Sequence, residues 1–309
     1  MSKNNNLHKA KAAKNDEFYT QLSDIENELK HYKDHFKGKT VFCNCDDPEW
    51  SNFTLYFAQN FEHLGLKRLI STGYDQDGIA IVLDLSEDLN GDGKIDHKDL
   101  FDAARMLYSD GDFRSEESIE LLKQSDIVVT NPPFSLFREY VAQLIEYDKK
   151  FLIIGNYGSC AYKEIFPLIQ NNKLWTGVSP RSMSFIRPDG SKSAVNACWF
   201  TNLNHKKRNE ELILFREYQE EDYIKYDNLD AIDIDEVAGI PLDYDGLMGV
   251  PSTFLEKYNP NQFELIGIPT GNLGKQIGVT KNYRGRTDIS LTKNGETKCP
   301  YSRIIIKRK

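Results

Sequence analysis

Between Thr40 and Asn156, short aliphatic runs alternate with segments whose apolar residues recur every three or four positions. TVFCNC (40–45), KRLIST (67–72), DIVVT (126–130) and FLIIGN (151–156) read as buried strands. WSNFTLYFAQNFEHLG (50–65), SIELLKQ and LFREYVAQLIEY read as the helices between them. Strands alternating with helices predict an α/β fold with a doubly wound, mostly parallel sheet. Ligands of such sheets bind beyond the C-terminal ends of the strands. An earlier helix is predicted from Phe18, Leu22, Ile25, Leu29, Tyr32 and Phe36, with a capping box at Ser23 and Glu26 and a stop at Gly38. Past residue 172 the pattern changes. MSFIR, VNACWFTNL, ELILF, FELIGIP and YSRIIIKRK read as strands, and PSTFLEKY as a short helix.

The 309 residues are enough for a sizeable core, and 39% hydrophobic with 28% charged is a globular balance. No apolar run approaches the ~18–20 residues of a membrane helix, and MSKNNNLHKAKAAKNDE has no apolar core of a secretory signal. The five cysteines form no CxxC pair, so a cytoplasmic protein without a disulfide framework is expected. The net charge of -8 is unevenly spread. Residues 1–15 carry four Lys and no acid, and residues 271–309 carry ten basic residues against two acids. Residues 210–245 carry thirteen acids against Arg216 and Lys225. Basic segments on an acidic body fit either a phosphate-tracking surface or plain solvated surface.

The run DIVVT ends abruptly in Asn131-Pro132-Pro133-Phe134. Proline donates no backbone hydrogen bond, so it ends strand pairing and stiffens the chain. The Asn131 side-chain oxygen and the Pro132 carbonyl are then two rigid acceptors, matched to the two N–H groups of a planar exocyclic amine. Phe134 can cover the ring that carries the amine. Accepting both N–H bonds frees the nitrogen lone pair, which suits methylation of an amino nitrogen without a strong side-chain base. A simple Asn-Pro turn is the competing reading. Placement after a hydrophobic strand and before an amphipathic helix favours the methylation chemistry.

Further stretches surround this motif: DEFYTQ (16–21), CNCDDPEWSNF (43–53), DGDFRSEESIELLK (110–123), YDKKFLIIGN (147–156), PLDYDGLMGVPSTFL (241–255) and NPNQFELI (259–266). Together they resemble the EcoRI-type adenine-specific DNA methyltransferase family over about three quarters of the chain. The resemblance implies a Rossmann-like core with a mostly parallel seven-stranded sheet and a C-terminal recognition region. It implies S-adenosylmethionine as cofactor, double-stranded DNA as partner, and a flipped adenine methylated at N6. Asn131, Pro132, Pro133 and Phe134 would form the catalytic loop. Phe18, Tyr19 and Thr20 would line the methionine end of the cofactor. Asn44 to Pro48, with Asp46 or Asp47 on the amino group, replaces the usual Gly-rich loop. Asp75 would hold the ribose. Asp112 would accept from the cofactor's adenine amine, with Phe113 beside that ring. The expected organisation is a catalytic domain over 1–215, carrying an insert at 76–110, and a C-terminal region over 216–309. A monomer or weak dimer is expected. The alternatives are an amino-methyltransferase acting on RNA or a protein glutamine, and a non-catalytic DNA- or calcium-binding module.

Three segments depart from the family. In the first, DLNGDGKIDHKD (88–99) resembles an EF-hand or dockerin calcium loop. Asp88, Asn90, Asp92, the Lys94 carbonyl, Asp96 and Asp99 fall at ligand positions, and Ile95 at the inward-packing one. A structural calcium is expected there, with LFDAARMLY following as a helix; an acidic hairpin is the alternative. The other two segments, 179–195 and 269–298, are basic and loop-rich. Arg181, Arg187, Lys192, Lys281, Arg284 and Arg286 are candidates for phosphate or guanine contacts. Because these segments diverge, the family's target GAATTC is not carried over. His31 and His35 lack the HExxH pattern of a zinc site, and Cys43 and Cys45 read as packed thiols.

Overall fold

The four aliphatic runs form strands buried along nearly their whole length. In the computed structural model, which describes residues 20–45, 48–75, 80–186 and 192–309, β1 is Thr40–Cys43 and β2 is Arg68–Thr72. The insert supplies β3 (Ile81–Leu85) and β4 (Ala104–Met106). β5 is Ile127–Thr130 and β6 is Lys150–Asn156. Then come β7 (Trp175–Thr176), β8 (Met183–Ile186), β9 (Lys192–Val195) and β10 (Ala197–Thr201). The helices are α1 (Leu22–Leu29), α2 (Lys33–Phe36), α3 (Asn52–Gln59), α4 (Phe61–Leu64), α5 (Glu116–Gln124) and α6 (Phe137–Glu146).

Among the described residues the main sheet has eight strands in the order β4-β3-β2-β1-β5-β6-β10-β7. β2, β1, β5 and β6 are parallel neighbours, whereas β10 runs antiparallel to β6, β3 to β2, and β4 to β3. The α/β class and large central sheet match the expectation. The expected seven, mostly parallel, strands are not confirmed: the insert adds an antiparallel pair on one side of the parallel strands, and β10 runs antiparallel on the other.

Side chains alternate across the sheet with the two-residue period of a strand. Val41, Cys43, Ile127, Val129, Leu152 and Ile154 join Ile25, Leu29, Phe53 and Phe57 of α1 and α3 in one core. Helix α6 buries Phe137, Tyr140, Val141 and Leu144, and Phe137 packs its ring 4.9 Å from Phe200 of β10. Helices thus shield the central strands, as parallel sheets require. The predicted capping box at Ser23 is not formed: α1 starts one residue after Gln21, which makes no side-chain cap bond. Ser51, by contrast, caps α3 by accepting from the N–H groups of Phe53 and Thr54.

LFDAARMLY is not helical. Its Ala104–Met106 portion pairs antiparallel with β3, so sheet pairing overrides good helix formers. The calcium reading of the preceding loop is not supported. Asp88, Asn90, Asp92, Asp96 and Asp99 turn their oxygens onto backbone N–H groups of the same loop, and Asp92 also meets the Lys98 ammonium at 3.1 Å. Lys94 donates its own N–H to Asp92. Asp99 is fully buried and accepts from Leu89, Asn90 and Asp96 at 2.9–3.0 Å. Burial pushes its carboxyl pKa up, but the three N–H groups outweigh burial and hold it below the ordinary carboxylate value. Among the described residues no group of three or more His, Cys, Asp or Glu side chains is placed to hold a metal. Ile95 does pack inward on the core.

By compactness the chain divides into one unit of residues 1–159 and 176–204, which holds most of the eight-stranded sheet, and a second of 160–175 and 205–309. The second unit contains α7 (Phe166–Gln170) and α8 (Gly271–Gln276). Its strands are β11 (Ala231–Asp233), β12 (Leu247–Pro251), β13 (Phe263–Gly267), β14 (Leu291–Lys293), β15 (Glu296–Lys298) and β16 (Arg303–Arg308). The order β11-β12-β16-β13 makes a four-stranded sheet, and β14–β15 a hairpin. Arg303 of β16 and Asp233 of β11, nearly buried, pair at 2.9 Å. ELILF stays extended but joins no strand. The Gln262 side chain serves it instead, accepting from the Leu212 N–H and donating to the Leu212 carbonyl.

Candidate active site

The strand order reverses at β1, with β2 on one side and β5 on the other. A crevice therefore opens beyond the C-terminal ends of β1 and β5. The two ends are tied together: Cys45, just past β1, donates its N–H to the Thr130 hydroxyl at the end of β5 (3.2 Å). The next residues along β5 are Asn131 to Phe134. Asn131, Pro133 and Phe134 are half-buried and Pro132 is buried. A short turn over Phe134–Leu136 follows, closed by the Leu136 N–H on the Pro133 carbonyl (2.9 Å). The edge of the Phe134–Phe185 contact, 6.2 Å between centroids and 83° between planes, sets the ring against the β8–β9 hairpin.

A cavity of about 350 Å³ lies at this crevice. The loops after β1 and β2 reach it with Asn44, Cys45 and Tyr74, the DGDF loop with Gly111 to Arg114, and the proline turn with Pro133 and Leu136. The DGDF loop is anchored to the loop after β2, where the Asp75 N–H donates to the Asp110 carbonyl (2.8 Å). Gly111 has φ +74, and a Cβ there would lie 2.1 Å from the Gly73 carbonyl oxygen, so only glycine fits. Phe113 is buried edge-on to Tyr140, with centroids 5.1 Å apart, and its carbonyl accepts from the Gln143 side chain.

Asp112 is held by its neighbour but one. Arg114 donates through its backbone N–H and Nε to Oδ1 and through Nη2 to Oδ2, at 2.6–2.8 Å. These bonds hold the Asp112 carboxyl below its ordinary range against the opposing effect of burial. Oδ2 takes one of these donors and retains a lone pair for an amine. Asp112→Ala is expected to weaken S-adenosylhomocysteine binding by about tenfold, measured by titration calorimetry. Because the folded pKa is depressed, the carboxylate's contribution to stability is complete above the ordinary value of about 4. It is lost only as the pH falls through the lower, folded value. Melting temperatures of wild type and Asp112→Asn should therefore converge only at acidic pH.

Of the predicted cofactor residues, the fold brings Asn44, Asp112 and Phe113 to the cavity. Thr20, Pro48 and Asp75 are described but do not line it. Thr20 is buried, and its carbonyl accepts from the Asn52 side chain (2.7 Å). Phe18, Tyr19, Asp46 and Asp47 lie outside the described residues. Sequence reasoning missed Tyr74, Arg114, Leu136 and Tyr140, and placed Cys45 only within the Asn44 to Pro48 segment and as a packed thiol. Arg114 was open to detection from its position beside Asp112. Tyr140 was recognisable only as an apolar-face residue of α6.

The residues fit a nucleoside-type cofactor. The Asn44 side chain is 2% exposed, and its Nδ2 has no hydrogen-bond partner among the described residues, so a buried donor awaits an acceptor. A crevice at the switch point of an α/β sheet, rimmed by an Asn-Pro-Pro-Phe turn, defines the class: a methyltransferase that acts on an amino nitrogen. Comparison with known proteins gives the family. Residues 6–309 match the family described as adenine-specific methyltransferase EcoRI, and the chain belongs to it. It is 49% identical to the type II methyltransferase M.EcoRI of Escherichia coli over 332 aligned positions, covering 98% of this chain and 96% of the relative. It is 39% identical to M.MpnI of Mycoplasma pneumoniae and 36% identical to M.MgeORF184P of Mycoplasma genitalium, each alignment covering 98% of both chains. No solved structure matches the chain.

Proposed function

We propose that this chain methylates N6 of adenine in double-stranded DNA at a specific sequence, as the modification enzyme of a type II system. The observation that carries the reading is the shared cavity: Pro133 and Leu136 of the proline turn border the same space as Asn44, Asp112 and Phe113. This supports a target amine held beside the cofactor, although Asn131, Pro132 and Phe134 do not themselves line the cavity.

When bound, S-adenosylmethionine supplies an electrophilic methyl group on a sulfonium centre. Asp112 accepts from the cofactor's adenine amine and Phe113 flanks that ring. Asp46 or Asp47 would take the amino group and Phe18 and Tyr19 the methionine end, from outside the described residues, whereas Asp75 and Thr20 do not line the cavity and would reach the cofactor only from beyond it. The target adenine leaves the duplex at a cost of roughly a few kcal/mol in stacking and pairing. Phe134, braced by Phe185, stacks on it. Asn131 and the Pro132 carbonyl would accept from its two N–H groups, which would leave the nitrogen lone pair free to attack the methyl group. Holding the two reactants in this geometry supplies much of the rate.

In the first unit Arg181 and Lys192 are candidates for phosphate contacts, and Arg187 lies outside the described residues. In the second, Asn282 accepts from the N–H groups of Arg284 and Arg286 and shapes a turn that exposes Lys281, Arg284 and Arg286. This supports a recognition role for the C-terminal region, 216–309, with the catalytic role in 1–215. The enzyme works in the cytoplasm as a monomer or weak dimer. No helix among the described residues is long and apolar enough to cross a membrane.

The test is incubation with S-adenosylmethionine and unmethylated duplex DNA, followed by digestion to nucleosides and mass spectrometry. N6-methyladenine is the expected product. Methylation of an RNA substrate in place of DNA, or of cytosine in place of adenine, would refute the assignment.

A further inference from the structure

Asn44 sits where β1 ends, at the floor of the cavity. Its two amide ends meet different surroundings. Oδ1 accepts a hydrogen bond from the Tyr140 hydroxyl, and the Cys45 thiol lies 3.9 Å from the same oxygen. Nδ2 is buried and has no partner among the described residues. Tyr140 is itself fully buried on α6, ninety-six positions away in sequence, and its ring is wedged edge-on against Phe113. α6 begins directly after the proline turn, so the helix that carries Tyr140 also carries the rim of the catalytic loop.

An asparagine amide with both ends unsatisfied can rotate by half a turn and present either oxygen or nitrogen. A phenol can donate or accept, but with the Cys45 thiol, a poor acceptor, facing the same atom, the orientation with Oδ1 toward both hydrogens is favoured. We infer that Tyr140 is a positioning residue for the cofactor: its hydroxyl fixes the Asn44 amide so that Nδ2 faces the cavity as a dedicated donor to an acceptor atom of bound S-adenosylmethionine. Tyr140 does not touch the cofactor; it acts through Asn44. This inference rests on the cofactor-site reading of the cavity.

The test is titration calorimetry with S-adenosylhomocysteine on the full chain, with melting temperatures recorded alongside. Asn44→Ala should raise Kd by ~10-fold, the loss of one buried hydrogen bond. Asn44→Asp, which replaces the donor by an oxygen, should raise it at least as much. Tyr140→Phe keeps the ring against Phe113 and should raise Kd by about 3- to 10-fold. In the Asn44→Ala background the same Tyr140→Phe change should leave Kd within about twofold, because a residue acting through Asn44 has nothing left to position. Equal effects of Tyr140→Phe in both backgrounds would overturn the inference, as would a lowered melting temperature with Kd unchanged. Asn44→Asp binding as tightly as wild type would show that the cavity wants an acceptor, and would overturn it too. Failure of the wild type to bind would instead remove the cofactor-site reading itself, and this inference with it.

Discussion

Asn131→Ala is expected to lower kcat for methyl transfer by at least ~10²-fold while S-adenosylhomocysteine affinity stays within about threefold of wild type. The asymmetry follows from position. Asn131 is the first residue past β5, at the end of a strand whose last residue, Thr130, is fully buried and bonded to the loop after β1. The loop backbone is held by that bond and by two prolines, so truncating the side chain leaves the fold and the cavity in place. What disappears is an acceptor for the target amine, needed as the nitrogen changes geometry in the transition state. Uniform weakening of substrate binding would raise KM and spare kcat. Single-turnover rates with saturating DNA separate the two, and unchanged turnover would remove Asn131 from the chemistry.

Glu28→Ala is expected to destabilise the first unit by about 3–5 kcal/mol, measured by denaturant unfolding. Glu28 is fully buried. Its Oε1 accepts from the Val178 N–H (2.7 Å) and the Tyr32 hydroxyl (2.9 Å), and Oε2 from the Ser179 N–H (2.7 Å). Burial, then the adjoining carboxyl, pushes the Tyr32 phenol well above its ordinary pKa, so it remains a donor at any working pH. Truncation strands three donors away from water, and each unsatisfied group costs about 1–3 kcal/mol. The clip admits no side chain at Gly177: a Cβ there would lie 2.2 Å from Oε1 and 2.6 Å from the Trp199 Cβ. Glu28→Gln keeps one acceptor oxygen and should lose less. A loss below ~1 kcal/mol for the alanine variant would mean that water or relaxation replaces the clip.

Local pattern and chemistry determined much of this protein. The runs at 40–45, 67–72, 126–130 and 151–156 are too short for buried helices and rich in β-branched residues, so local sequence alone marks them as strands. The abrupt NPPF ending is equally local, since two consecutive prolines leave the chain without backbone donors where β5 stops. The same holds for DGDF, with Gly111 at positive φ and Arg114 two residues from the acid it pairs with. Other features were decided by partners far along the chain. Ala104–Met106 became a strand because β3 offered open backbone groups, and that outweighed helix propensity. ELILF joins no sheet, and at Leu212 the Gln262 side chain takes the place of a neighbouring strand. The loop at 88–99 has the residue types of a calcium site, yet its carboxylates close on neighbouring N–H groups, a choice that composition does not reveal. Asn44 and Tyr140 are ninety-six positions apart, and Glu28 lies one hundred and fifty from Val178. A hydrogen bond across such a span carries no periodic signature. It exists only once packing has brought both groups out of water, where each must find the other or remain unsatisfied.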